Sequence, residues 1–194
     1  MPSLGEAEWL NSEPPGPAGL RGRVVLVNFW TLTCINWLRQ QPYVRAWSQA
    51  HRDDGLIVTG VHTPEFSFEH EIDRVRQAVK ERGIDYPVAA DNDYAIWTAF
   101  GNHCWPALHV VDTDGMIRDE HYGEGRYEQS ERTIQRLVDR APAFYSGVEN
   151  DLHKCGTTTS SDRKAGVDQC PCASVPCRGC VPATRPAELR RRQG

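Results

Sequence analysis

The feature that most constrains this chain is the run Val24-Val25-Leu26-Val27-Asn28-Phe29-Trp30. Nearly unbroken apolarity over one strand's length predicts a strand covered on both faces, which is a feature of α/β sheets and not of one-sided antiparallel ones. The segments that follow repeat the theme. A helix is expected from about residue 34 to 51 and a second buried strand over 56–61, introduced by Gly55. Ile72, Val75 and Val79 recur at helical spacing within 69–82, and Gly83 supplies a stop. A short strand is predicted at 86–90, and Asp91-Asn92-Asp93 can cap a helix through Phe100. Residues 107–111 and 116–122 form a hairpin around Asp114-Gly115, and Ile134, Leu137 and Val138 stripe a closing helix. The order predicts an α/β fold with a central mixed sheet flanked by helices and antiparallel at one end.

The last quarter of the chain differs. Every aromatic residue lies at or before Tyr145, whereas Cys155, Cys170, Cys172, Cys177 and Cys180 all come after it, leaving only Cys34 and Cys104 in the body. Residues 151–194 also carry eight Lys/Arg against four Asp/Glu, within a chain whose net charge is −4. Such a segment buries too little to offset chain entropy. The expected organisation is therefore one domain over residues 1–143 and a low-order tail over 144–194. Cys170, Cys172, Cys177 and Cys180 match a tetrahedral zinc set in number, but the Cys-x-Cys spacing is awkward and no apolar residues surround it. A disordered tail is the preferred reading there. The overall charge supplies no field for nucleic acid, and no apolar stretch is long enough for a membrane span. The first residues show no export signal, so the expected setting is cytoplasmic.

Chemistry begins at Cys34, where the buried strand gives way to the helix. A thiol there faces unpaired backbone N–H groups and the positive end of the helix dipole, both of which favour thiolate, the attacking species in disulfide exchange. A buried apolar cysteine is the plain alternative. Asn102-His103-Cys104-Trp105-Pro106 precedes the hairpin, and Trp105–Pro106 is a candidate cis bond.

Taken together, these segments resemble the thioredoxin-like superfamily, in its TlpA-like branch of thiol–disulfide oxidoreductases, and within that the soluble thioredoxin-like module of DipZ-type proteins. The resemblance spans residues 9–140. It rests on the first strand, on Thr33-Cys34-Ile35-Asn36, on Pro42-Tyr43-Val44-Arg45-Ala46-Trp47 and on Gly60-Val61-His62-Thr63-Pro64-Glu65-Phe66. Tyr86-Pro87-Val88-Ala89, Trp105-Pro106-Ala107-Leu108 and Gly123-Glu124-Gly125 complete it. The resemblance implies that Cys34 is the nucleophile of a Cys-x-x-Cys motif and that Pro106 is the cis-proline whose loop faces it. It also places Glu65 near an acidic position that some relatives hold beside the active site; a solvated loop carboxylate is the competing reading. His62 shares that loop and is weighed as an ordinary polar residue against a base. Relatives often work outside the cytoplasm, which leaves an extracytoplasmic setting open.

One departure shapes the functional reading. The second motif position holds Trp37, so the motif reads Cys34-Ile35-Asn36-Trp37 and lacks the thiol that releases a mixed disulfide. The expectation is a monothiol variant acting through Cys34 on protein or low-molecular-weight thiols and disulfides, with no cofactor. Cys104 and the tail cysteines are candidate resolving thiols, with a plain buried Cys104 as the alternative. A redox-inactive thioredoxin-like binding module is the second function class. A thiol peroxidase is the third: Thr31 stands three residues before Cys34 as in peroxidatic motifs, but Val27 occupies the position of their proline. Trp30, Trp47 and Trp97 are read as core residues and not as a ligand-stacking surface.

Overall fold

The computed structural model describes residues 1–5 and 7–141. The expectations for residues 144–194, including the tail cysteines, lie outside the described residues.

The apolar run becomes β2 (Val24–Trp30), and all seven of its residues are buried. Its alternation divides the interior. Val24, Leu26 and Trp30 face one cluster with Val58, Val88 and Leu108, while Val25, Val27 and Phe29 face another with Val61, Ala89 and Val111. This two-sided burial is what an unbroken apolar strand requires. β2 pairs in parallel with β3 (Leu56–His62) and antiparallel with β5 (Ala107–Val111). β3 runs parallel to β4 (Val88–Ala90), and β5 forms the expected hairpin with β6 (Ile117–Tyr122).

A further strand, β1 (Glu8–Leu10), lies antiparallel to β4 and makes the sheet order β1-β4-β3-β2-β5-β6. The sequence did not announce it, because three residues within a Pro-rich, acidic stretch carry no readable period; their partner is some eighty positions away. The four-residue α1 (Pro17–Leu20), with Pro17 in its first turn, links β1 to β2.

The first cluster is roofed by α2 (Ile35–His51), α3 (Ile72–Glu81) and α5 (Tyr127–Val138). Trp37, Val44 and Trp47 of α2 point inward at helical spacing, and Val75 and Val79 of α3 and Ile134 and Val138 of α5 meet the same cluster. α4 (Ala95–Ala99) contributes Ile96 to the opposite face. Asp91 does cap α4, its two carboxylate oxygens accepting the Ile96 and Trp97 amides at 2.9 Å each. Trp30 and Trp47 are buried as expected, and Trp97 packs at the edge of the second cluster.

Gly60 in the middle of β3 shows how tight the first face is. A Cβ there would lie 3.0 Å from Trp30 Nε1 and 3.2 Å from both Tyr86 and Val88, so any larger residue would have to push those side chains back by a few tenths of an ångström.

Candidate active site

β2 delivers the chain to a turn over residues 31–33, closed by the Cys34 amide donating to the Thr31 carbonyl at 3.3 Å. Cys34 is the N-cap of α2, in extended backbone conformation, and its carbonyl accepts the Leu38 amide at 3.0 Å. Its side chain makes no capping bond. The thiol is half-exposed and free, so the alternative of a buried apolar cysteine does not hold.

Three segments meet around it. Thr33, Cys34, Ile35 and Asn36 form the floor of a groove; Glu65 and Phe66 line one side, and His103, Cys104 and Trp105 the other. The Trp105–Pro106 peptide is cis. Cys104, weighed in the sequence as a buried bystander, is instead half-exposed on the groove wall. Its thiol contacts the Pro106 carbonyl at 3.9 Å. Burial pushes the Cys104 thiol up, the Gly123 amide pulls it part of the way back, and the negative charge of Cys34 adds to the rise. Asn102 Nδ2 donates to the Cys104 carbonyl at 3.2 Å and the Gly123 amide to the Pro106 carbonyl at 2.7 Å, fixing the loop by its backbone.

Trp37 occupies the position one turn into α2 and is fully buried. It stacks on Trp30 with ring centroids 4.2 Å apart, and its indole N–H donates to Asn28 Oδ1 at 3.0 Å. Asn28 Nδ2 in turn donates to Gln40 Oε1 at 3.0 Å, and Gln40 Nε2 to the Gly123 carbonyl at 3.4 Å. The indole is thus built into a buried polar chain in which each link is satisfied.

The residue that sequence reasoning missed is Glu69. It is fully buried, and its carboxylate accepts Thr33 Oγ1 at 2.7 Å, the Thr33 amide at 3.2 Å, the Glu65 amide at 2.6 Å and the Phe66 amide at 3.0 Å. Burial alone would raise its pKa, but the Thr31 and Thr33 hydroxyls and the two backbone amides outweigh that and hold the carboxyl below its ordinary range. An anion therefore ties the loop after β3 to the residue preceding Cys34. The available signal was Glu69 three residues after Phe66, the spacing of a residue that reaches back to cap its own turn.

Glu65 stands exposed on the groove wall, and what the structure engages is its amide; among the described residues its carboxylate makes no hydrogen bond or ion pair. His62 is fully buried at the end of β3, edge-on to Trp30 at 4.8 Å, so it is part of the core and away from the groove lining. Burial lowers its pKa to about 4 despite the nearby Glu69.

A larger cavity of about 570 Å³ lies beneath residues 1–21 and 111–115, but neither described cysteine lines it. Among the described residues no His/Cys/Asp/Glu group is arranged to hold a metal ion, and no helix is long and apolar enough to cross a membrane.

Comparison with known proteins gives consistent matches. The Redoxin family model matches residues 16–137. Protein DipZ of Mycobacterium tuberculosis is 43% identical over 157 residues, covering 79% of this chain and 22% of DipZ, so the chain spans about a fifth of that relative's length. The thiol-disulfide oxidoreductase YkuV of Bacillus subtilis is 28% identical over 139 residues, covering 71% of this chain and 93% of YkuV. Among solved structures, a thioredoxin-like protein in its oxidized form superposes with a TM-score of 0.66 at 28% identity, covering 73% of this chain and 96% of that one.

Proposed function

Since this chain belongs to the Redoxin family, as a TlpA-like protein of thioredoxin-like fold, we propose that it is a thiol–disulfide exchange protein whose nucleophile is Cys34. The observation that carries this reading is a free, half-exposed thiol at the N-cap of α2, in a groove walled by the cis Trp105–Pro106 loop. The Cys34 thiolate attacks one sulfur of a substrate disulfide, forming a mixed disulfide and expelling the other sulfur as a thiolate. The substrate class is protein or low-molecular-weight disulfides. The exposed side chains of Ile35 and Phe66, 57% and 49% accessible, supply apolar contact for an extended substrate segment beside the thiol.

Trp37 stands at the position of the motif's second cysteine, so release of the mixed disulfide falls to a thiol elsewhere. Glu65 serves this site through its backbone, as part of the loop that Glu69 anchors. Pro106 shapes the groove wall.

Trapping tests the reading. Full-length protein exposed to a disulfide-containing protein extract should accumulate intermolecular adducts through Cys34, and Cys34→Ser should lose them. Equal adduct formation by the variant would refute the assignment of the nucleophile. Retention of the same partners by Cys34→Ser under reducing conditions would instead favour a binding module.

A further inference from the structure

Two free thiols share this groove. One rises from its helical floor and the other from the loop that forms its wall, while the helix position one turn beyond Cys34 is filled by a buried indole. The indole cannot be exchanged for a thiol function by a local motion, because it is stacked on Trp30 and hydrogen-bonded to Asn28. Cys104 is differently placed. Its loop is held by backbone contacts through Asn102 and Gly123, whereas its sulfur has only a long contact to the Pro106 carbonyl, at 3.9 Å. A sulfhydryl is a weak donor, so little holds the sulfur back from the groove.

We propose that Cys104 is the resolving thiol of this site, transferred from the helix to the cis-proline loop. The proposal rests on Cys34 being the nucleophile, as above. After Cys34 has formed a mixed disulfide, the Cys104 sulfur attacks Cys34 Sγ. The Cys34–Cys104 bond forms, the bond to the substrate sulfur breaks, and the proton given up by Cys104 balances the departing substrate thiolate. In sum, one substrate disulfide gains two electrons and becomes two thiols, and the two cysteines of the chain lose them. An external dithiol, or two equivalents of a low-molecular-weight monothiol, returns the pair to the reduced state.

The electrostatics give the two steps an order. In the resting site burial and the charge of Cys34 both suppress ionisation of Cys104, so it does not compete as the first nucleophile. A mixed disulfide at Cys34 has no ionisable thiol, so that repulsion cannot act on Cys104. Cys104 then ionises more readily, with the Gly123 amide left to favour its thiolate. The resolving step is thus promoted by the step that makes it necessary.

The experiment uses the full chain, with all seven cysteines present, and oxidised glutathione as the probe. Reduced wild type, Cys104→Ser and Cys104→Ala are each mixed with the probe, quenched with acid at intervals and digested without reductant. Mass spectrometry then identifies each disulfide. In wild type the glutathione adduct on Cys34 should be transient and give way to a peptide pair linked through Cys34 and Cys104. Both variants should hold the adduct about ten-fold longer or more and lack that linkage. A disulfide requires Cβ atoms about 3.8 Å apart, so the linkage is a stringent test of the geometry. An adduct of equal lifetime in all three proteins, or a Cys34 linkage to a cysteine beyond residue 141, would overturn the resolving role while leaving Cys34 as nucleophile. Absence of any adduct on Cys34 in all three would instead remove the proposed function, and the resolving step with it.

Discussion

The two walls of the groove are built on opposite principles. The wall after β3 is held by charge: Glu69 lies buried beneath it with two backbone amides of its own loop, together with the amide and hydroxyl of Thr33, pointed at one carboxylate. The cis-proline wall is held by neutral bonds, from Asn102 to the Cys104 carbonyl and from Gly123 to the Pro106 carbonyl. A wall organised around a buried anion admits little change, since every donor aimed at it is orphaned if it goes. A wall fixed by its own backbone leaves its side chains free to vary. The difference leaves the Cys104 thiol lightly held, whereas Glu65 and Phe66 are set by the loop that carries them.

Removing the anion should break the comparison most severely. Glu69→Ala should cost about 3 kcal/mol in denaturant unfolding, because it strands three partly buried amide donors and opens a cavity, and it should slow alkylation of Cys34 by releasing Thr33. The strand that leads to this wall ends at the buried His62, whose folded pKa of about 4 lies below its ordinary 6.5. Between those values the unfolded chain binds a proton that the folded chain refuses, so stability rises with pH across that window and falls as pH drops through it. The expected loss is about 3 kcal/mol from neutral pH to below pH 4. His109, also lowered by burial, adds to the slope, and Glu69 extends it further into acid because its stabilisation is lost as its depressed pKa is crossed. His62→Leu should flatten the thermal-melting profile over the upper part of this range relative to wild type; an unchanged profile would show that the imidazole is solvated. On the other wall the effects should be smaller. Asn102→Ala removes one hydrogen bond to the Cys104 carbonyl and should cost about 1 kcal/mol in the same unfolding measurement. Cys104→Ser should cost about 0.5 kcal/mol, which would separate its effect on adduct lifetime from any effect on folding.

Much of the fold could be read along the chain because its signals are local. The β2 run, the helical spacing of Ile72, Val75 and Val79, and the Asp114-Gly115 turn each state their conformation within a few residues. Cys34 and Pro106 were legible for the same reason, since one marks a strand-to-helix boundary and the other a strand start. Glu69 was not, because a glutamate in a polar, aromatic stretch looks solvated until the fold brings Thr33 to it. Edge strand β1 needed β4 to exist, and the exposure of Cys104 depended on how its loop turns before Pro106. In each case the missing information was a long-range contact.

Gly123 has a consequence for the groove as a recognition surface. Its carbonyl is taken by Gln40 from inside the helix layer, and its amide is given to Pro106 on the opposite side. One residue, through its two flanking peptide groups, is therefore a shared strut between the helix that begins beyond Cys34 and the loop that faces it. The gap between them is set from the interior, so under the proposed exchange function a polypeptide substrate would have to conform to a width already chosen.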